Sequence, residues 1–279
     1  MLEGARIVVI VPALDEEPRI GRVVASMPSF VDEVIVVDDG STDDTRGAAL
    51  ASGEARRVAV QVVRHDRNRG VGAAIASGYA RALATNGSPV DAFCVMAGDG
   101  QMAPEDLARV ALPVVRGEAD YAKGDRLSRA ASRARMPLAR RLGGLGFSWL
   151  TSRAIGRPVH DSQCGFTALS RRAAGVLDLA GLWPRYGYPN DLLGQLVARD
   201  RSFVEVPVEA IYAGEPSKLR LWHLPRIAWL VGRAYVRRID KKTIVHEGFG
   251  VTGPTSQDPS VPPEKDGPPL APPPAGLHA

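Results

Sequence analysis

The chain opens with a regular alternation of short apolar runs and longer stretches of helical periodicity. Apolar, β-branched runs predict strands at residues 6–11, 33–37, 58–63 and 92–96. Helices are predicted between them at residues 18–27, 43–51 and 72–84, with Ser41 or Thr42 capping the second helix. Strands this short and continuously apolar are typical of a mostly parallel sheet buried on both faces. Their alternation with helices predicts right-handed crossovers and an α/β fold, a central sheet flanked by helices.

The second half of the chain has a mixed pattern. Helices are predicted at residues 138–155 and 189–199, and short strands at residues 167–169 and 203–206. We therefore expect one α/β domain over residues 1–217, followed by a basic amphipathic segment at residues 218–247. Residues 248–279 are rich in proline and cannot form a core, so we expect a disordered tail.

Polar residues follow each of the first four predicted strands. In parallel sheets the carboxyl ends of the strands meet at one edge, and ligands bind there. The residues that this rule brings to a common edge are Asp15, Glu16, Asp38, Asp39, Asn68, Gly70, Asp99 and Gln101. The sequence thus predicts a polar binding site at the carboxyl edge of the sheet.

The positive charge of the chain is concentrated near its end. The whole chain of 279 residues has a net charge of +4, whereas residues 218–242 hold eight lysines or arginines and one acid, a net charge of +7. The rest of the chain is therefore slightly acidic. A nucleic-acid-binding function is not favoured, because the charge lies on one terminal segment rather than across the predicted domain.

This basic segment has the pattern of an amphipathic helix after Pro225. We expect an apolar stripe formed by Leu224, Ile227, Ala228, Val231 and Tyr235. A basic stripe would consist of Arg226, Arg233, Arg237 and Lys241. Two tryptophans, Trp222 and Trp229, are candidates for an interface. The pattern is typical of a helix that lies on an anionic membrane surface. The alternative is that the apolar stripe packs on the α/β domain or on a second subunit of an oligomer.

The cysteines and the chain's hydrophobic stretches bear on its compartment. Cys94 and Cys164 lie in apolar surroundings, which predicts buried free thiols and a reducing compartment. The N-terminal residues lack the basic start and long apolar run of a signal peptide, and an uninterrupted apolar run of about 18 residues is absent from the sequence. We expect a cytoplasmic protein that lies peripherally on the inner face of the plasma membrane.

Four sequence motifs resemble those of family 2 glycosyltransferases with the GT-A fold. These are VPALDEE, VVDDGSTDDT, NRGVGAAIASG and GDGQMAPED, which occur in this order. Farther along, DSQCGFTALS and EVPVEAIYAGEPSKL resemble the second half of dolichyl-phosphate mannose or glucose synthases. The resemblance covers roughly residues 6 to 220. It implies a nucleotide diphosphate sugar as donor, and Mg²⁺ or Mn²⁺ as cofactor.

The resemblance assigns donor-binding roles to several of the polar residues. A diphosphate is polyanionic, so its phosphates need a divalent ion with hard oxygen ligands. By resemblance, the nucleotide pocket is lined by Pro12, Ala13, Asp15, Glu16 and either Asp38 or Asp39, while Asn68, Gly70 and Lys218 contact the donor. For Asn68 the alternative is a helix cap, and for Lys218 it is a solvated charge of the basic segment.

The metal-binding motif departs from the family pattern. The common motif has two aspartates separated by one residue, with glutamine two residues later, but this chain has Ala97 where the first aspartate is expected. Asp99 is then the best metal ligand and Gln101 the second. Mg²⁺ tolerates few protein ligands, because it commonly keeps several of its waters.

Arginines in the second half match positions that hold an acceptor phosphate in the polyprenyl-phosphate enzymes. Arg126 ends a Gly-Asp-Arg sequence where those enzymes have Gly-Ser-Arg, and Arg140 and Arg141 lie at the start of the predicted helix 138–155. Arginine forks suit phosphate oxygens, although each arginine alone is as often a surface charge. Asp161 and Gln163 are expected to shape the floor of the site.

Asp191 falls where many inverting members of the family have a catalytic carboxylate at the start of a helix. As a general base it would deprotonate an acceptor hydroxyl. The alternative is a carboxylate that stabilises the N-terminus of its helix. Together with Asp99 and Arg126, Asp191 completes the set of candidate catalytic residues.

Three hypotheses follow. The leading one is an inverting transfer of a hexose from a GDP- or UDP-linked donor to a polyprenyl phosphate at the membrane surface. The second keeps the enzyme class but has a sugar or small-molecule hydroxyl as acceptor, with Asp191 as base. The third, suggested by Ala97, is an inactive protein that binds nucleotide sugars.

Overall fold

The structure, a computed structural model, describes residues 1–129, 136, 138–209, 211 and 228–239, with only the backbone described for residues 139 and 140. Within these ranges the strands are β1 (Ile7–Ala13), β2 (Glu33–Asp38), β3 (Ala59–Arg64), β4 (Ala92–Val95), β5 (Tyr121–Asp125), β6 (Thr167–Ser170) and β7 (Phe203–Pro207). The helices are α1 (Glu17–Ala25), α2 (Thr45–Arg56), α3 (Val71–Leu83), α4 (Leu107–Val115), α5 (Leu138–Ile155), α6 (Arg171–Ala174), α7 (Tyr188–Ala198) and α8 (residues 228–239).

The strands form one mixed sheet in the order β3-β2-β1-β4-β6-β5-β7. Strand β6 is antiparallel to both of its neighbours, while the other pairs are parallel. The start of β6 therefore lies at the same edge as the carboxyl ends of the remaining strands. Strand register places Ala13 beside Asp38, and Asp38 beside Arg64, in one row at this edge.

Hydrophobic cores cover both faces of the sheet. Along β1, Val9 and Val11 face a core that includes α1 and α4, whereas Val8 and Ile10 face a second core that includes α3 and α7. This arrangement explains why the strand is apolar at consecutive positions, because both of its faces are buried. It confirms the predicted α/β fold with helices on both sides of a mostly parallel sheet.

Strand β5 and helices α4 and α6 escaped the sequence patterns. Strand β5 reads Tyr-Ala-Lys-Gly-Asp, and its polar residues are nonetheless buried. Helix α4 contains Pro113 in its interior, a residue that normally breaks the helical pattern. The predicted cap of α2 is also wrong: the N-cap is Asp44, whose carboxylate accepts a hydrogen bond from Gly47 N, and not Ser41 or Thr42.

Helix α8 packs on the α/β domain. Leu230, Val231 and Ala234 are buried, and Gly194 on α7 permits the approach, since a Cβ there would lie 2.7 Å from the Ala234 side chain. The predicted apolar stripe is wrong for Ala228 and Tyr235, which are exposed. The remainder of segment 218–247, including Lys218, and the tail 248–279 lie outside the described residues.

Candidate active site

A pocket opens at the carboxyl edge of the sheet, between the ends of β4, β5 and β7 and the start of β6. It brings together residues from four separate parts of the chain: Ala97, Asp99, Gln101, Met102, Arg126, Gln163, Cys164, Gly165, Phe166, Val208 and Glu209. Asp99, Gln101, Arg126 and Gln163 were all expected here from the sequence. The antiparallel β6 contributes because its start, not its end, lies at this edge.

The turn after β4 holds Asp99 and Gln101 against the pocket. Gly98 N donates a hydrogen bond to Pro12 O at 3.2 Å, so the turn rests on the end of β1. Gln101 N donates to the Asp99 carboxylate at 3.0 Å, and Ile211 N donates to Gln101 O at 3.0 Å. These bonds fix the backbone of the turn on both sides.

The oxygen donors of this pocket fit a hard divalent cation. The carboxylate of Asp99, the side-chain amide of Gln101 and the carboxylate of Glu209 line the same pocket, and Mg²⁺ and Mn²⁺ prefer such oxygen ligands. Glu209 was missed by the sequence analysis, although it follows β7 as Asp99 follows β4. The described residues contain no group of three or more acidic, histidine or cysteine side chains placed to hold a metal.

Arg126 lies on the wall of the pocket directly after β5 and forms a two-bond ion pair with Asp161. Its Nε and Nη2 donate to the two carboxylate oxygens of Asp161 at 2.7 and 2.9 Å. Burial raises the pKa of Asp161, but the charge and hydrogen bonds of Arg126, together with the charge of Lys123, outweigh it and lower the pKa to about 2. Asp161 is thus ionised at neutral pH and orients the guanidinium along the pocket wall.

Lys123 supports the loop that carries Asp161, a role that the sequence did not reveal. Its side chain is completely buried under the sheet edge, and its ammonium donates to the carbonyl oxygens of Asp161 and Cys164. Glu205 on β7 accepts a hydrogen bond from Asp161 N at 2.9 Å.

The first and second acidic motifs are tied to each other. The Asp15 carboxylate accepts a hydrogen bond from Thr42 N at 2.8 Å, and Asp15 N donates to the Ser41 hydroxyl. Glu16 is buried, and its carboxylate pairs with Arg19 at 2.7 Å. Pro12 and Ala13 end β1 beside these residues. The predicted nucleotide-binding segments therefore adjoin one another.

Asp38 and Asp39 are both buried and bonded to the loops around them. Asp38 accepts from Ser41 N at 2.8 Å and lies 3.4 Å from Arg64 Nε. Asp39 contacts His65 Nδ1 at 2.7 Å and accepts from Gly70 N at 2.7 Å. The two carboxylates hold the β2–α2 and β3–α3 loops in place.

Gly70 is the N-cap of α3, with a φ of 102° that favours glycine. A Cβ at Gly70 would lie 2.5 Å from the Pro184 carbonyl oxygen, so the start of α3 is packed closely by the segment before α7. Asn68 is exposed and does not cap the helix. The helix-cap alternative for Asn68 is therefore wrong.

Asp191 has contacts other than those expected of a base in the pocket. Its side chain is completely buried, and it is not among the described residues that line the pocket. One carboxylate oxygen accepts from Trp183 N at 2.9 Å, and the other is 2.6 Å from Arg237 and 3.6 Å from Arg233, both on α8. The carboxylate thus joins α7, α8 and the Trp183 segment.

The remaining predicted residues lie on α5 or beyond the described chain. Arg140 and Arg141 are in the first turn of α5; Arg141 is partly exposed, and the side chain of Arg140 is not described. Cys94 and Cys164 are free and buried, as expected. Within the described ranges, the helices all fall short of the length or apolarity needed to cross a bilayer.

Comparison with known proteins agrees with this architecture. The model of the family "Glycosyl transferase family 2" matches residues 8–177. A protein of Methanococcus voltae named UDP-N-acetylglucosamine–dolichyl-phosphate N-acetylglucosaminyltransferase is 31% identical over 218 residues, which cover 74% of this chain and 86% of the relative. Polyprenol monophosphomannose synthase of Mycolicibacterium smegmatis is 29% identical over 208 residues, covering 73% and 76% respectively.

A solved structure with the same fold carries ligands. Glucosyl-3-phosphoglycerate synthase from Mycobacterium tuberculosis, in complex with Mn²⁺, UDP-glucose and phosphoglyceric acid, matches with a TM-score of 0.60 at 25% identity. The match covers 85% of this chain and 80% of that one. Since the family model spans more than half of the sequence, the chain belongs to glycosyl transferase family 2 and is a glycosyltransferase with the GT-A fold.

Proposed function

We propose that this glycosyltransferase moves a hexose from a nucleotide diphosphate sugar to a polyprenyl phosphate at a membrane surface. The observation that carries the proposal is the placement of Arg126 in the same pocket as Asp99 and Gln101. A guanidinium that Asp161 holds at the pocket wall and a set of cation-binding oxygens in the same pocket suit two phosphate-bearing substrates. Two relatives named for dolichyl or polyprenol phosphate chemistry support this choice of acceptor.

On the donor side, Asp99 and Gln101 would hold Mg²⁺ or Mn²⁺. Glu209 would supply the second carboxylate, which the family motif has at the position of Ala97. The cation would neutralise the diphosphate as it leaves. Asp15, Glu16, Asp38 and Asp39 would build the nucleotide pocket, the last two by fixing its loops. A UDP-linked donor is the first to test, because one compared relative is named for a UDP sugar and one compared structure is a complex with UDP-glucose.

On the acceptor side, Arg126 would hold the phosphate for attack at the anomeric carbon. A phosphate is already anionic, so its attack needs positioning rather than a general base. The ion pair with Asp161 fixes the guanidinium before substrate arrives, which reduces the entropy lost on binding. Arg140 and Arg141 would extend the cationic surface toward the lipid, and Lys218 would reach the donor phosphate.

A hydroxyl acceptor is the second candidate, supported by the complex of the M. tuberculosis enzyme with phosphoglyceric acid. This reaction would need a base, and Asp191 stays a prediction for that role. Its burial and its pairing with Arg233 and Arg237 favour a positioning role instead. The third candidate, an inactive binding protein, is supported only by Ala97.

The test is a transfer assay with radiolabelled UDP- and GDP-linked hexoses, with and without Mg²⁺ or Mn²⁺. Polyprenyl phosphate in liposomes and phosphoglyceric acid in solution serve as the two acceptors. We expect metal-dependent product in the lipid phase. Product only with the soluble acceptor would favour the second candidate, and donor binding without hydrolysis or transfer would favour the third.

A Glu209→Gln variant sharpens the metal assignment. If Glu209 contributes to the cation site, the variant should need several-fold more metal for half-maximal activity while retaining its maximal rate. An unchanged metal requirement would remove Glu209 from the site and leave Asp99 and Gln101 as its protein ligands.

A further inference from the structure

Helix α5 carries a ridge of exposed apolar side chains along one face. Leu138, Leu142, Leu145 and Trp149 are 73%, 68%, 47% and 59% exposed. At about 100° per residue these positions fall within a stripe roughly 60° wide. We call these four residues the α5 ridge. Single exposed leucines are common, but four in register along a helix mark an interaction surface.

Within the described part of the chain, the first half of α5 is less buried than its second half. Among residues of α5 whose side chains are described, none before Ser148 is buried, whereas Ser148, Thr151, Ala154 and Ile155 are. The helix is therefore anchored by its second half and projects from the domain with its first half. An isolated helix of this length is marginal in water unless its apolar face is covered.

Three glycines further weaken the first half of α5. Gly143, Gly144 and Gly146 lie in the projecting half, and a Cβ at each would meet no atom within 4 Å. Steric crowding by the described protein therefore does not require glycine here. Each glycine destabilises a helix relative to alanine. A projecting helix with three such residues indicates that a partner outside the domain stabilises it.

The charge of α5 identifies the kind of partner. Its 18 residues include Arg140, Arg141 and Arg153, and no aspartate or glutamate. By helical periodicity Arg141 and Arg153 lie on opposite flanks of the ridge, about 60° from its centre. Arg153 also lies over the Trp149 ring, 5.3 Å from its centroid. An apolar ridge between arginines, with an aromatic ring at its end, matches the interface of an anionic bilayer.

From these observations we infer that the α5 ridge is the surface by which this protein inserts into the interface of an anionic lipid bilayer. The inference rests on the proposed function, which places the enzyme at a membrane surface, and it names the part of the protein that contacts that surface. A second copy of the chain is the less favoured occupant, because pairing two α5 helices would bring like-charged arginines together. Helix α8, the segment that the sequence favoured for membrane contact, directs Arg233 and Arg237 onto buried Asp191 instead.

The test measures vesicle binding without any acceptor, so that it is independent of catalysis. The full chain is sedimented with phosphatidylcholine vesicles that contain or lack phosphatidylglycerol. We expect binding that requires the anionic lipid and weakens at least about tenfold in the double variant Leu142→Glu/Leu145→Glu. The matched control is Val90→Glu/Val176→Glu, which places the same two charges at exposed apolar positions outside α5 and should bind as the wild type does.

A second readout does not depend on introduced charges. Trp149 and Trp229 are similarly exposed, at 59% and 56%. Brominated lipids should quench Trp fluorescence in the wild type and in Trp229→Phe, but much less in Trp149→Phe. The reverse result would overturn the inference and return the membrane contact to α8.

Two further outcomes separate this inference from the proposed function. Transfer to a short, water-soluble prenyl phosphate should be unchanged in Leu142→Glu/Leu145→Glu, since the ridge does not line the pocket. Vesicle binding without transfer to any polyprenyl phosphate would support the ridge and contradict the acceptor. A wild-type dimer that the variant converts to monomer, with no vesicle binding by either, would assign the ridge to a second copy and overturn the inference.

Discussion

The two halves of the sheet edge use their charged residues in opposite ways. In the first half, the Asp15, Asp38 and Asp39 carboxylates accept hydrogen bonds from loop amides. In the second half, Asp99, Arg126 and Glu209 line a pocket. The family motifs make both sets look alike in the sequence, yet the first set is bonded into its own loops and the second lines the pocket. Substitutions in the two sets should therefore separate loss of stability from loss of chemistry.

The largest effect on activity is expected for Asp99→Ala. It removes a pocket carboxylate that is proposed to hold the cation, and transfer should fall at least about 100-fold. The melting temperature should change little, because Asp99 lies on a surface turn. Asp39→Asn is the contrasting variant: it loses the pairing with His65 and should lower the melting temperature while retaining measurable transfer. Full activity of Asp99→Ala, or of the wild type in excess chelator, would contradict the metal-dependent mechanism.

The next effect concerns Arg126→Ala and the acceptor. Hydrogen bonds to charged groups contribute about 1.5–3 kcal/mol, so we expect kcat/KM for polyprenyl phosphate to fall about 10- to 100-fold, mainly through KM. Arg126→Lys keeps the positive charge but not the planar guanidinium, so its kcat/KM should lie between those of the wild type and Arg126→Ala. If KM for the acceptor is unchanged in Arg126→Ala, this arginine does not hold the phosphate.

The same variant makes a prediction about pH. In the wild type the Asp161 pKa is lowered from 3.8 to about 2, so its contribution to stability is fully present above pH 4 and is lost as the pH falls through about 2. Without Arg126, the raising effect of burial on this pKa is opposed mainly by the charge of Lys123, so we expect the pKa to be higher than in the wild type. The stability deficit of Arg126→Ala, measured by thermal unfolding, should therefore be larger at pH 7 than near pH 3. A deficit independent of pH would show that the pair does not set the ionisation of Asp161.

A moderate effect is expected for Asp191→Asn. Removing one partner of a buried ion pair typically costs about 3–5 kcal/mol, but Arg233 and Arg237 remain partly exposed, so we expect about 2 kcal/mol. This corresponds to a decrease in melting temperature of roughly 4–8 °C. Transfer to a phosphate acceptor should decrease only several-fold. Loss of transfer with an unchanged melting temperature would instead support the general-base role.

An Arg237→Gln variant is the matched control for Asp191→Asn. If Asp191 acts by anchoring α8, the two single variants should each destabilise the protein, and the double variant should be little worse than either. Additive losses would show that the two residues act separately.

The smallest effect is expected for truncation after Gly250. This change removes most of the proline-rich tail, which buries little apolar area by its composition. Activity and melting temperature should both remain close to those of the full chain. A clear decrease in either would show that the tail contributes to the folded protein.

Much of the fold was accessible from the sequence because local patterns encode it. The first four strands and the range of α5 agree with the apolar periodicity, and the polar residues after β4 and β5 lie in one pocket. Strand β5 itself was not predicted, because Lys123 is a buried charge whose partners, Asp161 and Cys164, lie about 40 residues away. The contacts of Asp191 could not be predicted either, because its arginine partners are also distant in sequence. In the sequence, an aspartate at the start of a helix has the same pattern whether it contacts a substrate or an arginine.

The pairing of Asp191 with Arg237 also bears on how the chain is made. The two residues are 46 positions apart, and Arg237 is synthesised second. At translation rates of about 5–20 residues per second, Asp191 is exposed to the nascent chain's surroundings for roughly 2–9 s before its partner exists. During that interval the carboxylate cannot be buried at low cost, because an unpaired buried charge is strongly unfavourable. We therefore expect helix α7 to complete its packing only after α8 has been made.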